Sequence, residues 1–404
     1  MDKIKLRSYL LNALFALAGY AILHVLLESG VINAYYRGVI LLIGINATVT
    51  IALNLATGML GELCLGHAGF MAVGAYTSAL FTLNSGLSGY IGLILGLLCG
   101  GLLAAATAAL VGVPALRLRG DYLAIITLAF GEIISVLLRS FAFTGGARGL
   151  NGIPLLTNFP LVYWILVLTI VAVYMLIRSR HGRAILAIRE DDIAAEASGI
   201  NVTRFKMTAF VISAAIAGIG GGLYAHYIGI LSPNKFNYNY SIDYMVMVVF
   251  GGMGSITGSI LSAGTLTILP ELLRSFSDYR MLVYSVLLII LMIFKPEGLL
   301  GQKEFSQRFA ANLMRRLTGR KIRSAASYDR HELSVARETT RRARERGYLT
   351  EQGPGDLGVG GRRRRPEENI PVAGTAVAES EGRTLTRQGL DPGPYEPAER
   401  KGRR

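Results

Sequence analysis

Four polar side chains recur along one apolar segment of the sequence, residues 37–57. They are Asn46, Thr50, Asn54 and Thr57. At about 100° per residue in a helix, these positions fall on one side of the segment. Amide and hydroxyl groups at membrane depth can hydrogen-bond a neighbouring helix or line a path for a polar solute. The spacing allows both interpretations, and it makes the four residues candidates for a translocation path.

Three titratable residues extend this candidate set: Glu62, His67 and Glu132. Glu132 lies in the middle of the apolar segment 121–141, so its carboxylate needs a partner or a water-filled cavity. A structural hydrogen bond and a role in transport are both compatible with that position. A membrane-embedded enzyme would need converging titratable groups, and these scattered residues supply only a weak set.

The elements that carry these residues are predicted to be membrane helices. The 404-residue chain is 52% apolar and only 17% charged, whereas a soluble domain carries about 25% charge. A helix of about 20 apolar residues spans the hydrocarbon core, and the alternation typical of barrel strands is missing. We therefore expect an all-α, polytopic membrane bundle and exclude a soluble enzyme. About ten segments qualify as spans: 9–28, 37–57, 59–83, 89–113, 121–141, 161–177, 207–230, 241–254, 256–273 and 279–294.

Small residues at every fourth position predict where helices pack closely. The longer stripe is Gly92, Gly96, Gly100, Ala104, Ala108 and Gly112, and the shorter is Ala214, Gly218 and Gly222. Because lipid gives no hydrophobic reward for helix association, close backbone approach has to replace it. Both stripes are interpreted as packing faces.

Glycine also interrupts two stretches, one in each half of the apolar body. The first contains Gly58, Gly61, Gly66, Gly69 and Gly74, and the second contains Gly251, Gly252, Gly254 and Gly258. Irregular backbone at membrane depth is tolerated only where protein or water covers it. The two interrupted stretches therefore indicate a substrate route.

The distribution of Lys and Arg predicts the orientation. With ten spans, the loops richer in these residues lie inside if the N-terminus is cytoplasmic. Both termini are then cytoplasmic. We divide the chain into a membrane domain, 1–301, and a basic, largely disordered tail, 302–404, which is expected to contact anionic lipid and no specific nucleic acid.

The longest inside loop, residues 178–206, has the features of a docking element. Asp192 can cap a short helix from Ile193 to Ser198, and Gly199 suits the left-handed position after it. Ile193, Ala194 and Ala197 would share one face of this helix. Such a helix can enter a groove on a partner protein or lie on lipid headgroups, and we favour the partner.

The sequence contains no phosphate-binding loop, because Gly is nowhere followed by Lys. Cys64 and Cys99 lie in apolar stretches without the spacing of a metal site. We expect no cofactor and no metal in this chain. If ATP drives transport, its hydrolysis must take place on a partner.

Several ordered motifs resemble one family. These are Leu53–Tyr76, Gly120–Glu132, Thr144–Pro154, Gly251–Ser255 and Lys295–Leu299. Together they are similar to LivM-type permease subunits of branched-chain amino acid ABC importers, and they span about residues 40–300.

The resemblance implies a permease that moves branched-chain or other hydrophobic amino acids across a bacterial cytoplasmic membrane. It implies a second related permease, two cytoplasmic ATPases that use ATP and Mg²⁺, and an extracytoplasmic substrate-binding protein. It also assigns ATPase coupling to one part of the loop: Arg189, Glu190, Asp191, Asp192, Ile193, Ala194, Ala195, Glu196, Ala197 and Gly199. The alternative is a stand-alone secondary carrier or channel, with Glu132 as its proton or ion site.

Overall fold

The computed structural model describes residues 17–29, 32–87, 89–118, 120–273, 285–286, 289 and 298–299. The chain divides into two units, Met1–Gly319 and Arg320–Arg404, and all described residues belong to the first. The predicted span 279–294 lies almost entirely outside the described residues, and the tail 302–404 lies wholly outside them. The division of the chain at residue 301 therefore stays a prediction.

The described part of the chain is a bundle of helices, as predicted. In chain order they are α1 Leu17–Glu28, α2 Ala34–Asn54, α3 His67–Asn84, α4 Tyr90–Ala115, α5 Asp121–Ser140, α6 Phe159–Arg178, α7 Arg180–Glu190, α8 Asp192–Ala197, α9 Val202–Ile228, α10 Tyr238–Gly251 and α11 Ile256–Leu272. A π-helical turn, Leu55–Met59, extends α2. Five of these helices are long and apolar enough to cross a membrane: α2 with its π turn, α4, α5, α6 and α9.

Helix α2 forms the centre of the bundle. Every residue from Gly44 to Met59 is buried, and the helix packs against α6, α9, α10 and α11. A helix buried all round must be apolar all round, and the mostly apolar sequence of this stretch meets that condition. Its few polar side chains are therefore forced to find partners inside the protein.

Glycine lets α3, α4 and α9 meet at van der Waals distance. A methyl group added at Gly74 would lie 2.2 Å from the Gly218 Cα, and one added at Gly100 would lie 2.6 Å from the Gly74 carbonyl oxygen. Every member of the two predicted small-residue stripes is buried. Their assignment as packing faces is confirmed.

Helices α3 and α10 both begin beside the interior of α5, away from its two ends. The N–H of Leu65, just before α3, donates to Thr127 Oγ1, which lies within α5. The N–H of Tyr238, the first residue of α10, donates to Glu132 Oε1 at 2.8 Å. Both helices thus start at the depth of the interior of α5, as expected for interrupted membrane segments.

Candidate functional site

Two of the four predicted polar side chains, those of Asn46 and Asn54, hydrogen-bond to α10, α11 and the turn between them. Asn46 Nδ2 donates to Thr267 Oγ1 at 2.9 Å, and Asn46 Oδ1 accepts from Tyr244 Oη at 3.0 Å. Thr50 Oγ1 donates to the Asn46 carbonyl at 2.7 Å, as serine and threonine commonly do within helices. The hydroxyl of Thr57 is buried without a hydrogen-bond partner among the described residues.

Asn54 ties α2 to the start of α11. Its Nδ2 donates to the Ser255 carbonyl at 2.9 Å and to Ser259 Oγ at 2.8 Å, while its Oδ1 accepts from the Gly254 N–H at 2.8 Å. These three hydrogen bonds fix the orientation of the fully buried Asn54 side chain. Hydrogen bonding between helices is therefore what Asn46 and Asn54 do within this chain, and their role in lining a path stays a prediction.

The two glycine-interrupted stretches meet immediately beside Asn54. A methyl group at Gly58, within the π turn, would lie 2.3 Å from the Gly254 backbone nitrogen. Gly254 and Gly61 both adopt left-handed backbone angles, at φ +89° and +87°, which favours glycine. We call the contact of Gly58 with Gly254, with Gly61 beside it, the glycine junction.

The remaining predicted path residues do not gather around α2. Glu132 accepts the Tyr238 N–H and so stabilises the N-terminus of α10, where a carboxylate is favoured by the helix dipole. His67 begins α3 and is buried, and its Nε2 has no hydrogen-bond partner among the described residues. Glu62 lies with the loop 178–206. Among the described residues, no hydrogen bond or ion pair joins these three side chains to one another.

The loop 178–206 folds into two short helices, α7 and α8. The predicted capping residue was wrong by one position: Asp191, not Asp192, caps α8, with Oδ1 accepting from the N–H groups of Ile193 at 2.9 Å and Ala194 at 3.0 Å. Helix α7 continues to Glu190, so Asp191 alone keeps the extended conformation (φ −159°) that a capping residue requires. Gly199 has φ +82°, which confirms its predicted left-handed conformation.

Ala195 is the buried residue through which α8 packs on the bundle. Ala195 is buried in a small apolar cluster with Leu60, Ile185, Ile188 and Ala209. The opposite side stays accessible: Ile193 is 65% exposed, and Ala194, Glu196 and Ala197 are exposed with it. The predicted face of Ile193, Ala194 and Ala197 is therefore exposed in the part of the chain that the structure describes.

Arg189, the next-to-last residue of α7, reaches the glycine junction. Its Nη1 donates to the Gly58 carbonyl at 3.2 Å, and a methyl group at Gly254 would lie 3.2 Å from the same atom. The side chain also packs over Gly61, where a methyl group would lie 2.9 Å from Arg189 Cγ. Its Nη2 pairs with Glu190 at 2.6 Å.

Lys206 is the site residue that the sequence analysis did not single out. Its Nζ forms an ion pair with Glu62 Oε1 and lies 3.8 Å from Asp192 Oδ2. The Lys206 and Glu62 side chains are only 8% and 12% exposed. This triad joins α9, the segment after the π turn and α8. Glu62 and Lys206 are far apart in the sequence, so nothing in the local pattern could reveal their pairing.

These features define a class of protein: a multi-pass helical membrane protein whose interrupted helices meet beneath an exposed helical loop. Comparison with known families specifies it further. Residues 35–294 match the family described as the branched-chain amino acid transport system permease component. The chain belongs to this family.

The chain is similar to several named permeases. It is 40% identical over 285 residues to the high-affinity branched-chain amino acid transport system permease protein LivM of Salmonella typhimurium and of Escherichia coli, covering 62% of this chain and 66% of each relative. It is 33% identical over 153 residues to E. coli LivH, covering 37% of this chain and 49% of that relative. The nucleoside ABC transporter permease protein NupC of Lactococcus lactis is 25% identical over 58% of this chain and 84% of its own length. The chain thus spans slightly less than two thirds of the LivM relatives, and no solved structure matches it.

Proposed function

We propose that this protein is a permease subunit of an ATP-driven ABC importer for branched-chain and other hydrophobic amino acids. The named LivM and LivH relatives and the family match support this substrate class. In this proposal the chain supplies half of the translocation path, and a second related permease supplies the rest. An extracytoplasmic binding protein delivers the amino acid. The chain itself hydrolyses no ATP and needs no cofactor.

The observation that carries the proposal is the way α8 is attached. Its outer face is exposed, with Ile193 65% accessible, while its inner side is held by Ala195 and by Lys206. A helix that is free on one side and fixed on the other suits contact with a separate protein. We assign this exposed face to one of two cytoplasmic ATPases, which bind ATP with Mg²⁺. Both termini of the permease would then be cytoplasmic.

Arg189 supplies the connection from the ATPase to the path. A push on α8 moves the end of α7, and Arg189 there contacts both partners of the glycine junction. Because Gly58 and Gly254 belong to different interrupted stretches, a change in their contact alters how α2 sits against α10 and α11. ATP binding would in this way bias two packings of the same helices.

Reconstitution of the complete transporter tests the proposal. The permease pair, the ATPases and the liganded binding protein should take up leucine, isoleucine or valine into proteoliposomes only with ATP and Mg²⁺. Uptake by this chain alone, driven by a proton gradient without ATP, would show instead a self-sufficient carrier.

A variant at Arg189 tests the coupling route. The Arg189→Glu substitution reverses the charge beside the Gly58 carbonyl and should abolish ATP-dependent uptake while the protein stays inserted. Arg183→Glu is the matched control, because Arg183 lies on the same helix but is exposed, and among the described residues its side chain hydrogen-bonds only to the nearby Arg178 carbonyl. Normal uptake in the Arg189→Glu variant would contradict the coupling role.

A further inference from the structure

Asp243 is an exposed carboxylate on a membrane helix, α10. Its neighbour Tyr244 donates to Asn46, and Asn46 lies at the middle of the 26-residue span Ala34–Met59. Ser241, two residues earlier, accepts the N–H of Ala68 at 3.0 Å, near the start of α3. These contacts place Asp243 near the middle of the membrane and close in depth to the beginnings of two interrupted helices.

A carboxylate at that depth is costly if it faces lipid, and in membrane proteins such groups usually face a water-filled cavity or another chain. Within the described part of the chain, no hydrogen bond or direct ion pair reaches the Asp243 carboxylate. Glu132 differs, because its carboxylate is bound to the Tyr238 N–H. The Asp243 carboxylate is therefore open to a further partner beyond the described residues.

A positive charge lies close to Asp243 on the outer side. The Nζ of Lys235 is 5.1 Å from the centre of the Tyr240 ring, one helical turn before Asp243. Among the described residues, no direct ion pair joins Lys235 to Asp243. Ile242 beside them is 40% exposed. We call Lys235, Tyr240, Ile242 and Asp243 the α10 patch.

The chemistry of the α10 patch matches that of a hydrophobic amino acid. Such a solute carries an ammonium and a carboxylate on one carbon and an apolar side chain on the same carbon. An anion and a cation that lie near each other without a direct ion pair leave room for the two opposite charges of the solute. Hydrogen bonds between charged groups are stronger than those between neutral ones. Ile242 offers apolar surface next to the charges.

We propose that Asp243 binds the α-ammonium group of the transported amino acid and that Lys235 binds its α-carboxylate. This inference rests on the proposed function, because it names where that importer's substrate makes its polar contacts. Lys235 precedes α10 and lies toward its outer end, so the carboxylate of the substrate points outward and the ammonium points toward the membrane centre.

The test uses the complete transporter in proteoliposomes with saturating liganded binding protein. Asp243→Asn should lower the rate of leucine uptake at least about tenfold, equivalent to about 1.4 kcal/mol, while the complex remains assembled. Asp243→Glu should retain part of the activity, and Lys235→Met should lower uptake as well. Asp121→Asn is the control, because Asp121 is an exposed carboxylate at the very start of α5 and should leave uptake unchanged.

Two results would overturn the inference. One is normal uptake by Asp243→Asn. The other is dissociation of the two permeases in that variant, which would show that Asp243 forms an ion pair between subunits.

A second measurement separates this inference from the proposed function. An Asp243→Cys variant, made with Cys64 and Cys99 replaced by alanine, should react with a water-soluble cationic thiol reagent. A Leu102→Cys variant should not react, because Leu102 is 70% exposed near the middle of α4, and an apolar side chain exposed at membrane depth is expected to contact lipid. If the wild-type complex takes up no amino acid, the proposed function fails. Absence of labelling at position 243 overturns the inference whichever solute is transported.

Discussion

Removal of the Lys206 charge should partly uncouple ATP hydrolysis from amino acid uptake. Lys206 holds Glu62 and Asp192 together at a site where its own side chain is 8% exposed and that of Glu62 is 12% exposed. The Lys206→Met substitution keeps most of the apolar stem but removes the cation that pairs with the nearly buried Glu62 carboxylate. Breaking a buried ion pair in this way costs about 3–5 kcal/mol. Because Asp192 is 25% exposed, we expect about 3 kcal/mol, at the lower end.

The cost falls on the attachment of α8, so the ATPases should still bind and hydrolyse ATP while uptake per ATP falls. The ratio of leucine uptake to phosphate release in proteoliposomes measures this loss, and thermal unfolding of the purified permease measures the lost stability. Arg204→Met is the matched control, because Arg204 is exposed two residues earlier on α9 and should change neither quantity.

A double-mutant cycle measures the interaction energy between Glu62 and Lys206. Glu62→Gln together with Lys206→Met should cost less than the two single changes added, because the second change removes the group that the first left unpaired. We expect a coupling energy of about 2 kcal/mol, within the range measured for contacting residues. Additive effects, or a Lys206→Met transporter with an unchanged ratio of uptake to hydrolysis, would refute the role assigned to the triad.

Three further changes test the site. Ala194→Trp should block ATPase binding to the exposed face of α8 and abolish ATP-dependent uptake, measured with membrane insertion as a control; normal uptake would contradict docking there. Gly58→Ala should strongly impair folding or uptake, because the added methyl group would lie 2.3 Å from the Gly254 nitrogen. Gly264→Ala is the control and should be tolerated, because its methyl group would lie 3.8 Å from the nearest atom. Asn54→Ala should lower the free energy of unfolding by about 3 kcal/mol or more, since it leaves several buried groups unpaired; an unchanged unfolding temperature would contradict this.

Much of the architecture follows from patterns that are local in the sequence. Apolar runs of span length predicted the helices, and small residues at every fourth position predicted packing faces on α4 and α9. Only the structure shows that these faces meet α3 and each other. Glycine clusters marked where helices are interrupted, although the pattern could not show that Gly58 and Gly254 touch. The one-residue error at the α8 cap arose because α7 extends to Glu190 and leaves only Asp191 in an extended conformation.

The residues that the sequence did not disclose depend on contacts between distant segments. Lys206 was one of several basic residues in an inside loop, and only the fold brings Glu62 and Asp192 to it. Asp243 was a single charge in a glycine-interrupted segment. Its exposure near the membrane centre becomes evident only from the partners of Tyr244 and Ser241. By contrast, Glu132 drew attention from its position alone, yet the structure gives it a backbone N–H to bind.

Two contacts of the loop 178–206 suit it to pass a movement of α7 and α8 to the backbone after α2. Two connections run from the loop into the bundle: Lys206 links α8 to Glu62, and Arg189 links α7 to Gly58. Glu62 and Gly58 lie on either side of Gly61, in one short stretch of backbone after α2. A displacement of α7 and α8 as a unit therefore acts on that stretch at two points. Because packed interfaces change between discrete arrangements rather than deform continuously, the contact of Gly58 with Gly254 is the place where this movement would select one packing of α2 against α10 and α11 over another.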